Sequence, residues 1–314
     1  MPGAIAPGIC VSGVRLARHL RPGGAARVHW RQGEATRFAT VREAGREQAA
    51  VVTGRGVVLV SDINAATGKA WPTDLFTLIG MGLSPALAAD AEACGHVLDP
   101  AAVSFGPLYR HPRKIWGIGL NYRDHAADLN AVYRDEPASF IKGDQTIIGP
   151  GDVIQLPPES SRVTAEGELG VVMGRTCRRV SEADALEYVA GYCLIIDMTA
   201  EDILQKNPRY LTRSKNFDTF FSFGPELITV DEVPDVLALS VSTCVNGKVH
   251  RQNLVANMQF PPAFLVSFHS HVMTLFPGDI ISTGTPGAAV IEHGDVAECR
   301  IDGLGVLTNP VRRD

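Results

Sequence analysis

The chain has 314 residues, of which 45% are hydrophobic and 20% are charged, as is usual for a globular protein. Its 29 Lys and Arg residues against 34 Asp and Glu residues give a net charge of −5. A nucleic-acid surface needs an excess of basic residues to neutralise phosphates, so this composition argues against that class of partner. At roughly 150 residues per domain, the length indicates about two domains.

The cysteine pattern and the hydropathy of the chain bear on its location. The six cysteines are scattered without a C-x-x-C pair, which argues against a zinc ribbon or a thioredoxin-type site. No run of about 18 apolar residues occurs, so we expect no membrane span. The first residues lack the basic and apolar segments of a secretory signal. We therefore expect a cytoplasmic protein.

Residues 1–107 are predicted to form a small N-terminal accessory domain. Short strands are expected between residues 26 and 60, where β-branched runs alternate with glycines. Two helices are expected at residues 74–82 and 85–93, the second rich in alanine. This part contains no cluster of catalytic residue types, so we expect the functional site in the remainder of the chain.

Residues 108–314 are predicted to form the catalytic domain. Buried strands are expected in KIWGIGLNY, GELGVVMG and GYCLIIDMT, and a hairpin is expected at Asn246-Gly247. Helices are expected after Ser181, after Thr199 as N-cap, and from Pro261 onward. Because helices do not regularly separate the strands, the sequence predicts a strand-dominated α+β fold and no Rossmann fold.

Three acidic residues form a candidate metal site. Glu166 and Glu168 lie two apart, so a strand places both carboxylates on one face. Asp197 ends the apolar run CLII and is therefore expected to be buried. Carboxylates on one face repel unless a cation lies between them, and oxygen ligands suit Mg²⁺ or Mn²⁺. The alternative is that both glutamates pair with basic residues across the sheet while Asp197 caps the next helix.

Three further residues are candidates for catalysis or substrate binding. Lys215 lies among aromatic residues and either steers an anionic substrate or is an ordinary lysine whose stem is buried and whose ammonium snorkels to solvent. Thr285 lies in STGTPG, where amides and hydroxyls suit a carboxylate, or it is simply a turn residue. His125 precedes Asp128 by three residues, so on a helix the acid would orient the imidazole as a general base. The alternative for His125 is a surface histidine.

Six motifs along the chain together resemble a known family. They are, in order, GLNYRDHA, EGELGVVMG, GYCLIIDMTAED, RSKNFDTFFSFGP, VNGKV and ISTGTPG. From about Lys114 to the C-terminus the chain resembles the fumarylacetoacetate hydrolase superfamily. The first hundred residues are similar to the small N-terminal domain that some bacterial members carry.

The resemblance implies a mixed β-sheet roll as the catalytic domain, in a homodimer. It also implies that Glu166, Glu168 and Asp197 bind Mg²⁺, Mn²⁺ or Ca²⁺. These carboxylates would then form the centre of the active site.

The same resemblance assigns the remaining candidates. Lys215 and Thr285 are implied as contacts to the substrate or transition state, and Tyr122 is a further candidate substrate contact. His125 is implied as the base that activates water, paired with Asp128 on a lid.

Two positions depart from the family pattern. The acid of the lid is commonly Glu, whereas Asp128 is one methylene shorter, which would loosen its pairing with the histidine. The helix after the metal aspartate commonly begins TARD, whereas this chain has TAED with Glu201. The second change would alter the preferred anionic group of the substrate, or Glu201 simply faces solvent near the helix N-terminus.

The function expected from these residues is metal-dependent cleavage of a C–C bond in a β-diketo acid such as an acylpyruvate, a reaction of aromatic catabolism. Isomerisation, decarboxylation or dehydration of a related 2-keto acid remains an alternative at the same site, because these reactions need no attacking water. Other classes fit less well. No G-x-S-x-G motif occurs, and GIGLNY lacks the third glycine of a dinucleotide fingerprint. His269 and His271 are two apart on an expected helix and cannot share a zinc ion.

Overall fold

The structure is built mainly from β-strands. The computed structural model describes residues 36–122 and 135–313. The strands within these ranges are β1 (Arg37–Glu43), β2 (Arg46–Thr53), β3 (Gly56–Leu59), β4 (Ser104–Phe105), β5 (Ile115–Gly119), β6 (Ala138–Lys142), β7 (Ile147–Ile148), β8 (Ile154–Gln155), β9 (Val163–Met173), β10 (Val189–Ala200), β11 (Phe221–Thr229), β12 (Ser240–Val245), β13 (Lys248–Leu254), β14 (Ile280–Ser282), β15 (Ala288–Ile291), β16 (Val296–Ile301) and β17 (Gly305–Arg312).

The α-helices in the described residues are short. They are α1 (Val60–Thr67), α2 (Leu75–Met81), α3 (Pro85–Ala93), α4 (Glu201–Lys206), α5 (Leu211–Lys215) and α6 (Pro262–Val272). Helices α2 and α3 confirm the predictions for the N-terminal part. Local sequence explains α2: the Asp74 carboxylate accepts a hydrogen bond from the Thr77 amide at 2.8 Å, and Gly82 ends the helix with φ 92°.

Two sheets organise the strands. The larger has the order β3-β2-β1-β11-β10-β9-β14-β5-β6, with β15 paired to β9, β4 to β1 and β7 to β11. The smaller has the order β13-β12-β16-β17-β8. Most neighbours are antiparallel, but β14 with β5, β11 with β7 and β17 with β8 are parallel. The predicted strand-dominated α+β fold with mixed sheets is therefore confirmed.

The N-terminal strands belong to the same sheet as the acidic strands. Strand β1 pairs with β11, placing Arg37 opposite Ile228 and Ala39 opposite Glu226. The core beneath them includes Phe38 of β1 and Phe223 of β11, both fully buried. The boundary near residue 107 between an accessory and a catalytic domain stays a prediction.

Two local predictions fail for the same reason. After Ser181 only a 3₁₀ turn forms, Ala185–Tyr188, and β10 begins at once. The capping interaction itself exists, since the Ser181 hydroxyl accepts from the Asp184 amide at 3.3 Å. Thr199 is no N-cap, because it lies in β10 and α4 begins at Glu201. In both places pairing of the long strand β10 with β9 takes the residues that a helix would have used.

The other local predictions hold. Asn246 and Gly247 have φ 53° and 76° and join β12 to β13, as a tight hairpin turn requires. Helix α6 forms from Pro262 onward. In the described parts of the chain, no helix has both the length and the apolar character needed to span a membrane.

Candidate metal centre and active site

The three predicted acids converge at the pairing of β9 with β10. Glu166 lies directly opposite Asp197 in the antiparallel register, and Glu168 lies opposite Ile195. Because side chains alternate along a strand, Glu166 and Glu168 face the same side of the sheet. One carboxylate oxygen from each of the three acids lies within 4.8 Å of the others. The convergence of these carboxylates is therefore a property of the strand register.

Burial makes it unfavourable for all three carboxylates to be charged at once. Glu168 is 1% exposed and Asp197 is 0% exposed, while Glu166 is half-buried. Burial, together with the charges of Asp197 and Glu166, raises the pKa of Glu168 to about 8. The Ser282 hydroxyl and the Gly284 amide donate to Oε2 of Glu168 at 2.5 and 2.9 Å. These donors from the strand β14 and its following turn orient the carboxylate.

Lys215 supplies a positive charge to the other two acids. Its ammonium donates to Oε2 of Glu166 at 2.9 Å and to Oδ2 of Asp197 at 2.7 Å. Burial alone would lower the pKa of Lys215, but the three carboxylates outweigh it and hold the pKa above its ordinary value. The side chain is 6% exposed, so its ammonium does not snorkel to solvent as in the alternative interpretation.

A second lysine, which the sequence analysis missed, binds the same aspartate. Lys142 ends β6, and its side chain is fully buried. Its ammonium donates to Oδ1 of Asp197 at 2.6 Å and also to the backbone oxygens of Met198 and Lys215. Burial lowers the pKa of Lys142 to about 8 against the opposing effect of Asp197. The available signal was the alternation in ASFIK, which places a lysine on the same face as a buried phenylalanine.

The residues present fit a divalent cation. Three carboxylates against two ammonium groups leave a net charge of −1 when all are ionised. A divalent ion would change this to +1, which suits an anionic substrate. Each carboxylate oxygen has more than one lone pair, so an oxygen that accepts from a lysine can also coordinate a metal. An all-oxygen donor set is the kind that Mg²⁺, Mn²⁺ and Ca²⁺ prefer.

The alternative in which the acids pair with basic residues and Asp197 caps the next helix is correct only in part. Glu166 and Asp197 do pair with lysines, but those lysines come from α5 and β6 and not from the neighbouring sheet positions. Asp197 does not cap α4, because it lies three residues before the end of β10. Thr199, also in β10, donates its hydroxyl to Oε1 of Glu166 at 2.9 Å.

Thr285 lies at the edge of the carboxylate cluster. Its hydroxyl bonds to the backbone of Gly287 and lies 3.1 Å from the hydroxyl of Thr243. Thr243 in turn accepts from the amide of Gly167, the residue between the two glutamates. The structure therefore brings this turn beside β9, and its role as a substrate contact stays a prediction.

Tyr122 is close to the cluster but enclosed. Its side chain is 0% exposed, and its hydroxyl has no hydrogen-bond partner in the part of the chain that the structure describes. Burial first, and then the charge of Glu168, raises the pKa of this phenol well above its ordinary value. An enclosed hydroxyl that lacks a partner is suited to an oxygen of a bound molecule, and this role remains a prediction.

The remaining predicted residues differ in what can be said of them. His125 and Asp128 lie outside the described residues, so their roles as base and orienting acid stay predictions. His269 and His271 lie on α6, where the first is buried and the second exposed. Two residues apart on a helix, with one side chain buried and the other exposed, they face different directions and do not converge on one zinc ion.

Comparison with known proteins gives the family. Residues 114–312 match the family model for the fumarylacetoacetate (FAA) hydrolase C-terminal domain. The mitochondrial oxaloacetate tautomerase fahd2 of Xenopus laevis is 37% identical over 225 residues, which cover 69% of this chain and 70% of the relative.

Solved structures agree with this match. A 2-hydroxyhepta-2,4-diene-1,7-dioate isomerase from Mycobacterium marinum superposes with a TM-score of 0.68 at 29% identity, covering 89% of this chain and 99% of the other. A maleylpyruvate hydrolase from Sphingobium sp. SYK-6, in complex with manganese(II) and pyruvate, superposes with a TM-score of 0.72 at 29% identity, covering 88% and 99%. The chain belongs to the fumarylacetoacetate hydrolase family, which includes hydrolases, isomerases and a tautomerase.

Proposed function

We propose that this protein is a divalent-metal-dependent enzyme that hydrolyses a C–C bond in a β-diketo acid, such as an acylpyruvate or a fumarylacetoacetate-like substrate. The observation that carries the proposal is the convergence of Glu166, Glu168 and Asp197 within 4.8 Å, with the ammonium of Lys215 bonded to two of them. The manganese and pyruvate in the related maleylpyruvate hydrolase support a metal and a 2-keto acid as ligands. The metal is proposed to be Mg²⁺, with Mn²⁺ or Ca²⁺ as substitutes.

Each residue then has a defined task. A divalent cation, when bound, supplies Lewis-acid polarisation of the keto oxygen. Lys215 stabilises the negative charge that develops on the substrate oxygens, and its burial strengthens this interaction because bulk water screens it less. The turn at Thr285 receives the substrate carboxylate, and Tyr122 offers its hydroxyl to a substrate oxygen.

The hydrolytic step requires a base and a water molecule. His125, oriented by Asp128, takes a proton from the water, whose oxygen attacks the distal carbonyl carbon. The C–C bond then breaks, and its electron pair passes to the pyruvate side as an enolate. Protonation of that carbon completes the reaction, which yields pyruvate and a carboxylic acid.

A second reaction is supported by a specific observation. The tautomerase from Xenopus laevis is 37% identical to this chain, and tautomerisation moves a proton through an enolate without an attacking water. The carboxylates and Lys215 would have the same roles in tautomerisation. The shorter side chain of Asp128 would affect this reaction less, because no water has to be activated by His125. Isomerisation, decarboxylation or dehydration of a 2-keto acid would use the same groups.

A product assay separates these reactions. Acetylpyruvate, fumarylpyruvate and oxaloacetate are incubated with the protein and Mg²⁺, Mn²⁺ or EDTA, and the loss of enol absorbance is followed while products are identified. We expect metal-dependent release of pyruvate with one ¹⁸O atom from labelled water in the second acid. Enol-to-keto conversion without cleavage would instead establish the tautomerase. Turnover that persists in EDTA would contradict both proposals.

The assembly and the partners are part of the proposal. The resemblance that implies the active site also implies a homodimer, with a small 2-keto or β-diketo acid as the ligand. Light scattering coupled to size-exclusion chromatography measures the mass directly. A mass of one chain, 33.6 kDa, would contradict the dimer, and a mass of two chains would support it.

A further inference from the structure

We propose that strand β6 is a positioning element, in which the ring of Phe140 holds the ammonium of Lys215 against Glu166 and Asp197 by a cation–π contact. Phe140 does not touch the substrate in this scheme and acts through Lys215. The inference rests on the proposed function only in taking Lys215 as the cation that contacts the substrate.

The first observation is the contact itself. The ammonium nitrogen of Lys215 lies 4.8 Å from the centre of the Phe140 ring. Phe140 is 8% exposed and Lys215 is 5% exposed, so both groups are buried. A cation–π contact is stronger when both groups are removed from water, because water then competes less for the charge.

The second observation is that Lys215 needs such support. It is the last residue of α5, a helix of only five residues, and its side chain has four rotatable carbon–carbon bonds. Glu166 and Asp197 use two of the three N–H donors of the ammonium. The ring attracts the charge without a lone pair of its own, so it restrains the ammonium while a donor remains for a substrate oxygen.

The third observation is that the backbone makes room for the ring. Gly117 of β5 lies opposite Phe140 in the antiparallel register. A Cβ atom at Gly117 would lie 2.3 Å from Cζ of Phe140 and 2.4 Å from Cε2. The ring therefore occupies the space that a side chain at position 117 would need, and only a glycine there leaves room for it.

The fourth observation is that β6 contacts Lys215 twice. Phe140 and Lys142 are two residues apart and share one face of the strand. The Lys142 ammonium binds both Asp197 and the backbone oxygen of Lys215. One strand thus restrains the backbone of Lys215 through a lysine and its charged end through an aromatic ring.

The test replaces Phe140 with phenylalanines carrying one, two or three ring fluorines, which weaken the attraction for a cation while nearly preserving ring shape. We expect kcat to fall stepwise along the series, by about tenfold for the trifluorinated ring, with KM changed less than about threefold. The Kd for Mn²⁺ and the melting temperature should stay near the wild-type values, because the carboxylates lie on β9 and β10. An unchanged kcat across the series would overturn the inference.

A matched control and a second readout complete the experiment. The ring of Phe276 makes comparable cation–π contacts, with Arg113 at 4.5 Å and Lys114 at 4.9 Å from the ring centre, but not with Lys215. Phe276→Leu should therefore leave kcat unchanged, whereas Phe140→Leu should lower it. Equal kcat losses in both variants would contradict a specific role for Phe140.

Independently of activity, NMR of lysines labelled with ¹³C at Cε should show ring-current shielding of the Lys215 protons that Phe140→Leu removes. Absence of that shielding would overturn the inference even if the enzyme proves active. A wild-type protein that turns over no keto acid but shows the shielding would contradict only the proposed function.

Discussion

Glu166 and Asp197 occupy directly opposed positions on the antiparallel strands β9 and β10, and the ammonium of Lys215 donates to both of them. Two carboxylates placed so close would repel in a buried setting without a counter-charge. The lysine offsets part of that repulsion, and Glu168 remains as a third acid with a pKa raised to about 8. A divalent cation bound by the three carboxylates would offset the repulsion that remains.

The raised pKa of Glu168 predicts how metal binding depends on pH. Below about pH 8 the metal-free site holds a proton on Glu168, and a cation must displace it. The association constant for Mn²⁺ should therefore rise about tenfold per pH unit below pH 8 and level off above it. Calorimetry in buffers of different ionisation enthalpy measures the proton released. In Glu168→Gln the release should be smaller by about one proton, and a pH-independent affinity in the wild type would contradict the prediction.

His125 and Asp128 are predicted to serve hydrolysis and not metal binding. Replacing His125 by Asn should lower the rate of C–C hydrolysis by about 10²- to 10⁴-fold, the usual contribution of a general base. The Kd for Mn²⁺ should be unchanged. Asp128→Glu should keep hydrolytic activity, while Asp128→Asn should lower it. Hydrolysis at the wild-type rate in the histidine variant would assign the base to another residue.

Lys142 is predicted to stabilise the fold as well as the site. Lys142→Met leaves the buried carboxylate of Asp197 with one of its two lysines, which we expect to lower the free energy of unfolding by about 3 kcal/mol. Urea denaturation measures this change, and Lys206→Met, on the exposed side of α4, provides the control. A loss below about 1 kcal/mol would mean that the lysine is not needed to compensate the buried charge.

An ion pair between the N-terminal strands and the rest of the chain predicts sensitivity to acid. Arg42 of β1 binds both carboxylate oxygens of Asp152, at 2.7 and 2.6 Å. Burial opposes ionisation of Asp152, but hydrogen bonds from Arg42 and Gly149 outweigh it and hold its pKa below the ordinary value. The stabilisation is therefore full above the unfolded-state pKa near ~4 and is lost as pH falls through the lower folded-state pKa.

Arg42→Met tests this sign. We expect it to lower the free energy of unfolding by about 1 kcal/mol at pH 7, since the pair is partly exposed. The difference from the wild type should shrink as the pH falls through the lowered folded-state pKa of Asp152, because protonation of the carboxylate removes the ion pair. A difference that grows on acidification would contradict the assignment.

The sequence allowed the acids to be found because their signals are local. The two-residue spacing of Glu166 and Glu168 and the position of Asp197 after an apolar run each follow from strand geometry. Local sequence also made Lys215 and Thr285 candidates, and the family motifs implied their roles as substrate contacts. The hairpin at Asn246-Gly247 was predicted for a similarly local reason.

What could not be predicted depends on distant contacts. Lys142 is 55 residues from Asp197 along the chain, and the packing of α5 against both β6 and β10 brings them together. The helix expected after Ser181 failed because β10 begins at Val189 and pairs with β9 over its whole length. Local capping signals do not outweigh the burial that such pairing provides.

The role of the three carboxylates as metal ligands is tested by a Mn²⁺ titration of the wild type and of Glu168→Gln, followed by turnover of an acylpyruvate in the same samples. We expect one Mn²⁺ per chain in the wild type, with affinity reduced by at least about 100-fold in the variant and activity lost with it. Unchanged Mn²⁺ binding in the variant, or full turnover by the variant in the presence of a chelator, would show that these carboxylates do not form a catalytic metal site.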